Sequence, residues 1–165
     1  MFVLILFMDK NDFLIVSELR TDARAPVLSI SDTLRLSRVT ITQRIKKLQD
    51  HIIQKYTALV DFRKLGFSVK LLFSITLAPH DKNIFAKYIQ KHPSVNNFYS
   101  TAHGADYLVE MIFQTQTEAE RFLEQLSSAF SIVQQQVYYL DQELVRESFF
   151  PDPRILQEVV VWKSK

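Results

Sequence analysis

The chain contains no cysteine and only two glycines, Gly66 and Gly104, in 165 residues. Without thiols, neither a disulfide framework nor a thiolate metal site can form, and nothing favours an oxidising compartment. With two glycines there is no phosphate-cradling loop: neither G-x-x-x-x-G-K-[ST] nor G-x-G-x-x-G occurs, and no serine stands in a G-x-S-x-G elbow. The histidines His51, His80, His92 and His103 are dispersed, without the i, i+4 spacing or clustered acids of a metal site. No enzyme, metal or cofactor is expected. Long apolar runs are also missing. Residues 1–7 are apolar, but a bilayer span needs about 20 residues, and the stretch lacks the basic lead-in and small-residue cleavage site of a signal peptide. It reads as a packed strand or upstream extension, with Met8 as the alternative start. A cytoplasmic protein without a membrane segment is the expectation.

Charge of one sign is scarce overall, at a net +2, but it is unevenly placed. Between residues 35 and 55, Arg35, Arg38, Arg44, Lys46, Lys47 and Lys55 face one acid, Asp50, whereas residues 62–165 balance 11 basic against 11 acidic residues. A local basic patch on an otherwise balanced protein is the electrostatic footprint of a polyanion site. Apolar residues at 47% and charged residues at 23%, with no long polar tract, mark a chain that folds.

The pattern divides the chain in two. Asp9 and Asp12 in a first turn, followed by Ile15, Val16 and Leu19, predict a first helix over residues 9–20. Pro26 suits the start of a second helix running through Leu34. Ser37 stands as N-cap to a third, in which Ile41, Ile45 and Leu48 repeat at i, i+4, i+7. Residues 54–61 have strand character and predict a β-hairpin or wing. The domain assignment is a winged helix-turn-helix over 1–61, with 1–7 as its apolar extension, a linker over 62–66, a second domain over 67–150 and a tail over 151–165. In the second domain, strand-like residues 67–78, 95–103, 107–113 and 132–140 alternate with helix-like 82–92 and a helix marked by Ala119, Phe122, Leu123 and Leu126. The order βαββαβ is the ferredoxin-like arrangement, so the fold class is α+β.

These segments together resemble the Lrp/AsnC (leucine-responsive regulatory protein, feast/famine) family of bacterial and archaeal transcription regulators, over residues 8–145. The resemblance is carried by Met8-Asp9-Lys10-Asn11-Asp12 with Ile15, Val16 and Leu19; Asp22-Ala23-Arg24; Leu36-Ser37; Arg44-Ile45-Lys46-Lys47-Leu48; residues 53–61; and His103-Gly104-Ala105-Asp106-Tyr107. It implies a DNA-binding regulator that forms a homodimer or higher homo-oligomer and responds to an amino-acid-like effector. The sequence departs from the family pattern at Arg35 and His51, where glycine is usual, in Gln134-Gln135-Gln136-Val137-Tyr138-Tyr139, and in the apolar tail over residues 155–162. If the backbone keeps a positive φ at Arg35 and His51, each costs on the order of 1 kcal/mol.

In a helix-turn-helix the third helix enters the major groove, where Gln43 can pair with adenine and Arg38 or Arg44 with guanine. Thr40 and Thr42 can bond a base or phosphate, and Val39 can meet a thymine methyl. Arg35, Ser37, Lys46, Lys47 and Lys55 complete the predicted double-stranded DNA contacts, the lysines on phosphates. The resemblance implies an effector site at Thr101, His103, Gly104 and Asp106, with Asp106 holding the amino group; the plainer reading is a hairpin turn, which Gly and Asp favour. An architectural DNA-binding protein of low specificity is the alternative function. A ligand-binding module without DNA binding fits the basic patch poorly. An enzymatic relative of the fold, resembling tetrapyrrole decarboxylases, lacks support because their Asn-rich, Trp-containing strand is not matched between Gly104 and Phe113.

Overall fold

The computed structural model describes residues 8–149. The expectations placed on the apolar extension 1–7 and the tail 151–165 lie outside them. The described residues form two compact units, one made of residues 8–59 with 145–149, the other of Val60–Leu144.

The first unit is helical. Helix α1 spans Lys10–Thr21, and a capping box starts it: the Asp9 carboxylate accepts from the Asp12 N–H while Asp12 accepts from the Asp9 N–H. Helix α2 spans Val27–Leu34 and follows Pro26, whose φ of −61° already suits a helix start. Helix α3 spans Arg38–His51, capped by the Ser37 hydroxyl, which accepts from the Thr40 N–H. Each helix sends apolar rungs inward, and Ile15, Ile30, Ile41 and Leu48 form a fully buried core.

The second unit is an α/β sandwich built from β1 (Val69–Leu77), α4 (Lys82–Lys91), β2 (Val95–Ser100), β3 (Tyr107–Phe113), α5 (Gln116–Ala129) and β4 (Ile132–Leu140). The four described strands form one antiparallel sheet in the order β2-β3-β1-β4. Strand alternation sets the faces. Leu71, Phe73, Ile75 and Leu77 point to the helix side with Val109 and Met111, where Phe85 and Ile89 of α4 and Ala119, Phe122 and Leu126 of α5 close the core. Phe85 sits at its centre, edge-on to Phe130 at 5.3 Å and stacked on Tyr107 at 5.6 Å.

The expected wing is not a hairpin. Residues 53–61 pair with no strand of this chain among the described residues, and the turn-prone stretch after them becomes a short 3-10 helix, Phe62–Leu65, between an Asp61 cap and a left-handed Gly66. One strand-like segment followed by a helical turn has no second strand to pair with. His51 likewise corrects an expectation. It continues α3, and the next residue, Ile52, has φ −121°, so no left-handed residue is needed there.

Removing the ring at the centre of the second core should be costly. Phe85→Ala should lower the unfolding free energy of this unit by about 3–5 kcal/mol, seen as a fall in the urea midpoint of its transition.

Candidate nucleic-acid interface

The turn joining α2 to α3 is held from within. Arg35 adopts the left-handed conformation, φ 53° and ψ 42°, and its N–H donates to the Ser31 carbonyl. Leu36 N–H donates to the same carbonyl, and the buried Ser31 hydroxyl donates back to the Leu36 carbonyl at 2.6 Å. Ser31 therefore stitches both sides of the turn. A serine on the inward face of α2 was the available clue, but serines on helices bond locally in many ways.

Around α3, Ile41 and Leu48 face the core, so the opposite side carries Val39, Gln43 and Lys46, with Thr42 and Lys47 flanking. Val39 is 67% exposed. Arg35, Arg38 and Lys55 are also exposed. Two candidate hydroxyls are engaged locally: Thr42 donates to the Arg38 carbonyl, and Thr40 shares a bond with the capping Ser37.

Arg44 behaves differently from the rest of the patch. One guanidinium nitrogen lies 2.8 Å from an Asp9 oxygen and 2.6 Å from an Asp12 oxygen, and Asp12 is nearly fully buried. Arg44 thus ties the middle of α3 to the capping box of α1. Burial pushes the Asp9 carboxyl upward, but the Arg44 guanidinium and the Asp12 N–H outweigh it and hold the pKa below its ordinary value of 3.8.

Thr101, His103, Gly104 and Asp106 come together in the turn between β2 and β3. Gly104 has φ 87°, in the region that favours glycine, although a Cβ there would meet no atom within 4 Å; the backbone conformation sets the requirement, not space. His103 is exposed, and the Thr101 hydroxyl donates to the Ala105 carbonyl. Asp106 is occupied. One carboxylate oxygen pairs with the Lys82 ammonium, the other accepts from the Leu77 N–H at 2.9 Å, and its own N–H donates to the Ile75 carbonyl. Lys82 and the Leu77 N–H hold its pKa below the usual carboxylate range. Beyond the last β1–β3 residue pair, the side chain continues the ladder that the backbone has left. Among the described residues no group of three or more His, Cys, Asp or Glu side chains could hold a metal ion.

Two substitutions separate positioning from recognition. Arg44→Ala should destabilise the helical unit by about 3 kcal/mol, the lower range for stranding a buried carboxylate, because Arg44 keeps 26% of its side chain in water. Asp9, whose folded pKa Arg44 helps to hold down, contributes stability above its unfolded value and loses it as pH falls through the folded one. Wild-type stability should therefore drop below about pH 4, and more steeply than in the variant, as thermal melts across pH would record. Asp106→Asn should cost about 1–3 kcal/mol in the second unit through its two charge-assisted bonds, read as a lower melting temperature.

Known proteins match both parts of the chain. A model of the AsnC-type helix-turn-helix domain matches residues 8–49, and one of the Lrp/AsnC ligand binding domain matches residues 70–146. The HTH-type transcriptional regulator LrpC of Bacillus subtilis is 30% identical over 121 residues, covering 73% of this chain and 84% of its own. FL11 of Pyrococcus horikoshii, also an HTH-type transcriptional regulator, is 29% identical over 122 residues, 73% of this chain and 81% of its own. The solved structure of B. subtilis LrpC has a TM-score of 0.75 at 27% identity, covering 84% of this chain and 97% of that one. A Neisseria meningitidis transcriptional regulator solved in complex with L-Met reaches 0.81 at 20% identity, over 93% and 99%, and shares the fold. With the helix-turn-helix and the ligand-binding domain matched in chain order, the protein belongs to the Lrp/AsnC family of transcriptional regulators.

Proposed function

We propose that the protein binds operator DNA as a homodimer and that the outward face of α3 reads base edges in the major groove. The observation that carries this reading is the composition of that face. Val39, Gln43 and Lys46 stand away from the core, and the apolar Val39 is left in water where a thymine methyl would cover it. Gln43, with Thr42 beside it, is the main base reader. Arg35, Arg38, Lys46, Lys47 and Lys55 meet phosphates, and Ser37 and Thr40 set the start of the helix. Arg44, given above to the sequence as a base reader, is assigned here to positioning, because its guanidinium is already shared by two carboxylates.

Dimerisation is assigned to the sheet. Both helices of this unit, α4 and α5, cover the side bearing Leu71 and Phe73, so Leu72, Tyr99, Leu108, Tyr138 and Leu140 occupy the opposite face of the sheet. A second copy would cover it and the edge strands β2 and β4. An amino-acid effector is placed at the exposed rim of the β2–β3 turn, at Thr101, His103 and Gly104, with Asp106 bracing the rim. The L-Met bound to the Neisseria protein supports that ligand class. Such a regulator works in the cytoplasm and needs no catalysis, and no described helix is long and apolar enough to cross a membrane.

The test is a comparison of operator and random duplex at fixed salt. An operator binder should prefer its own promoter by about 10³ or more, which an architectural protein would not. Gln43→Ala should cost about 1–3 kcal/mol on the operator and much less on random DNA. Lys46→Ala should weaken both almost equally and lower the slope of log affinity against log salt by about one. A Gln43→Ala variant that binds both duplexes like the wild type would remove α3 from base reading.

A further inference from the structure

The two helices that cover the sheet of the second unit carry opposite charge. Helix α4 holds Lys82, Lys87 and Lys91 and no acid, whereas α5 holds Glu118, Glu120 and Glu124 against Arg121 alone. Lys82 is taken up by Asp106. Lys87, Lys91, Glu120 and Glu124 are exposed and make no ion pair among the described residues. Phe85 and Ile89 bury one side of α4, which leaves Lys87 and Lys91, spaced i, i+4, on the outer side. Ala119, Phe122 and Leu126 bury α5 and turn Glu124 outward in the same way. The function proposed above uses none of these four charges.

Ring contacts set the register of the two helices. Tyr88 of α4 lies 5.7 Å from Phe130, just past the end of α5, and His92, just past the end of α4, stands edge-on to Phe122 at 4.8 Å. The helices are therefore antiparallel neighbours, and Lys91 stands level with Glu124. Ile84 lies one turn before Tyr88 on the same side of α4, so this 61% exposed isoleucine runs along the seam between the helices. An apolar seam between a positive and a negative rib is self-complementary under one two-fold axis only. An axis across the helices would set α4 on α4, lysine against lysine. An axis along the seam lays α4 of one copy over α5 of the next without changing levels. Lys87 and Lys91 then meet the partner's Glu124, with the partner's Glu120 one turn further, and Ile84 meets the partner's Ile84 near the axis. Arg121 stays clear, because its level lies past the end of α4. Nucleic acid fits this layer less well: a phosphate backbone drawn to Lys87 and Lys91 would run beside Glu120 and Glu124.

We propose that the α4–α5 layer docks on the same layer of a second copy of this chain, about a two-fold axis along the seam of the two helices. This surface is separate from the sheet face assigned to dimerisation. A dimer formed through the sheet carries one helix layer on each outer side, so dimers join to dimers and the assembly grows in steps of two chains.

Sedimentation of the full-length protein at micromolar concentration tests this. The wild type should contain four or more chains. Lys87→Glu with Lys91→Glu should reduce it to two chains, as should Glu120→Lys with Glu124→Lys and, separately, Ile84→Asp, each with unchanged circular dichroism. Mixing the two charge-reversed proteins should restore the larger species that neither forms alone, and so should all four reversals in one chain. Raising the salt from about 0.1 M to 1 M shortens the screening length from about 10 Å to 3 Å and should shift the wild type toward the smaller species. Were the sheet-face dimer the mistaken part, the wild type would hold two chains and each reversed protein one, and mixing would still restore the pair. The proposal is overturned if the reversals leave the mass of the wild type unchanged, if mixing restores nothing, or if they weaken binding to random duplex DNA at unchanged mass, which would make the lysines phosphate contacts.

Discussion

The orientation of α3 rests on the ion pair between Arg44 and the two carboxylates that start α1. Asp12 is 3% exposed, and a carboxylate so placed is very costly without partners. It obtains two: the Asp9 N–H, through the capping box, and the Arg44 guanidinium. Because Arg44 comes from the middle of α3, satisfying Asp12 also fixes the rotation of α3 about its axis. Ile41 and Leu48 then point inward, and Val39, Gln43 and Lys46 outward. A charge from the basic patch is thereby spent on the fold, and the outward face is left with residues of mixed hydrogen-bonding and apolar character.

The same principle recurs on a smaller scale at the irregular turns, where one side chain satisfies backbone groups that regular structure has abandoned. Ser31 accepts two N–H groups at its carbonyl and returns its hydroxyl to Leu36, so the turn between α2 and α3 keeps one geometry. Asp106 takes over from the β1–β3 ladder by capping the Leu77 N–H and binding Lys82 at the start of α4. The Gly104 turn is thus held at its base while its tip faces solvent.

Arg35 carries the cost of the tight turn. A left-handed non-glycine residue is disfavoured by on the order of 1–2 kcal/mol, yet the end of α2 demands that conformation so that α3 can begin three residues later. A cation at this helix C-terminus recovers part of the cost by complementing the carbonyl end of the dipole. His51 carries no such cost because α3 runs through it.

Periodicity in the sequence determined which elements form and which faces they bury. The 3.6-residue spacing of Ile41, Ile45 and Leu48, and the alternation of Leu71, Phe73, Ile75 and Leu77, reflect burial against a neighbour, and burial leaves a pattern along the chain. The caps at Asp9 and Ser37 were legible for a similar reason, since a cap bonds to residues three positions away. What only the tertiary structure decided were the pairings between residues distant in sequence. Arg44 looked like any basic residue of the patch until Asp9 and Asp12, more than 30 positions away, were seen against it. Asp106 reads in the sequence as a turn or ligand residue, and only the fold brings the Leu77 N–H and the Lys82 ammonium against its carboxylate. The segment after α3 has the composition of a strand but lacks a strand partner within the described chain, and composition cannot supply one. Local spacing records what a residue turns its back to; which distant group it meets depends on how the elements pack.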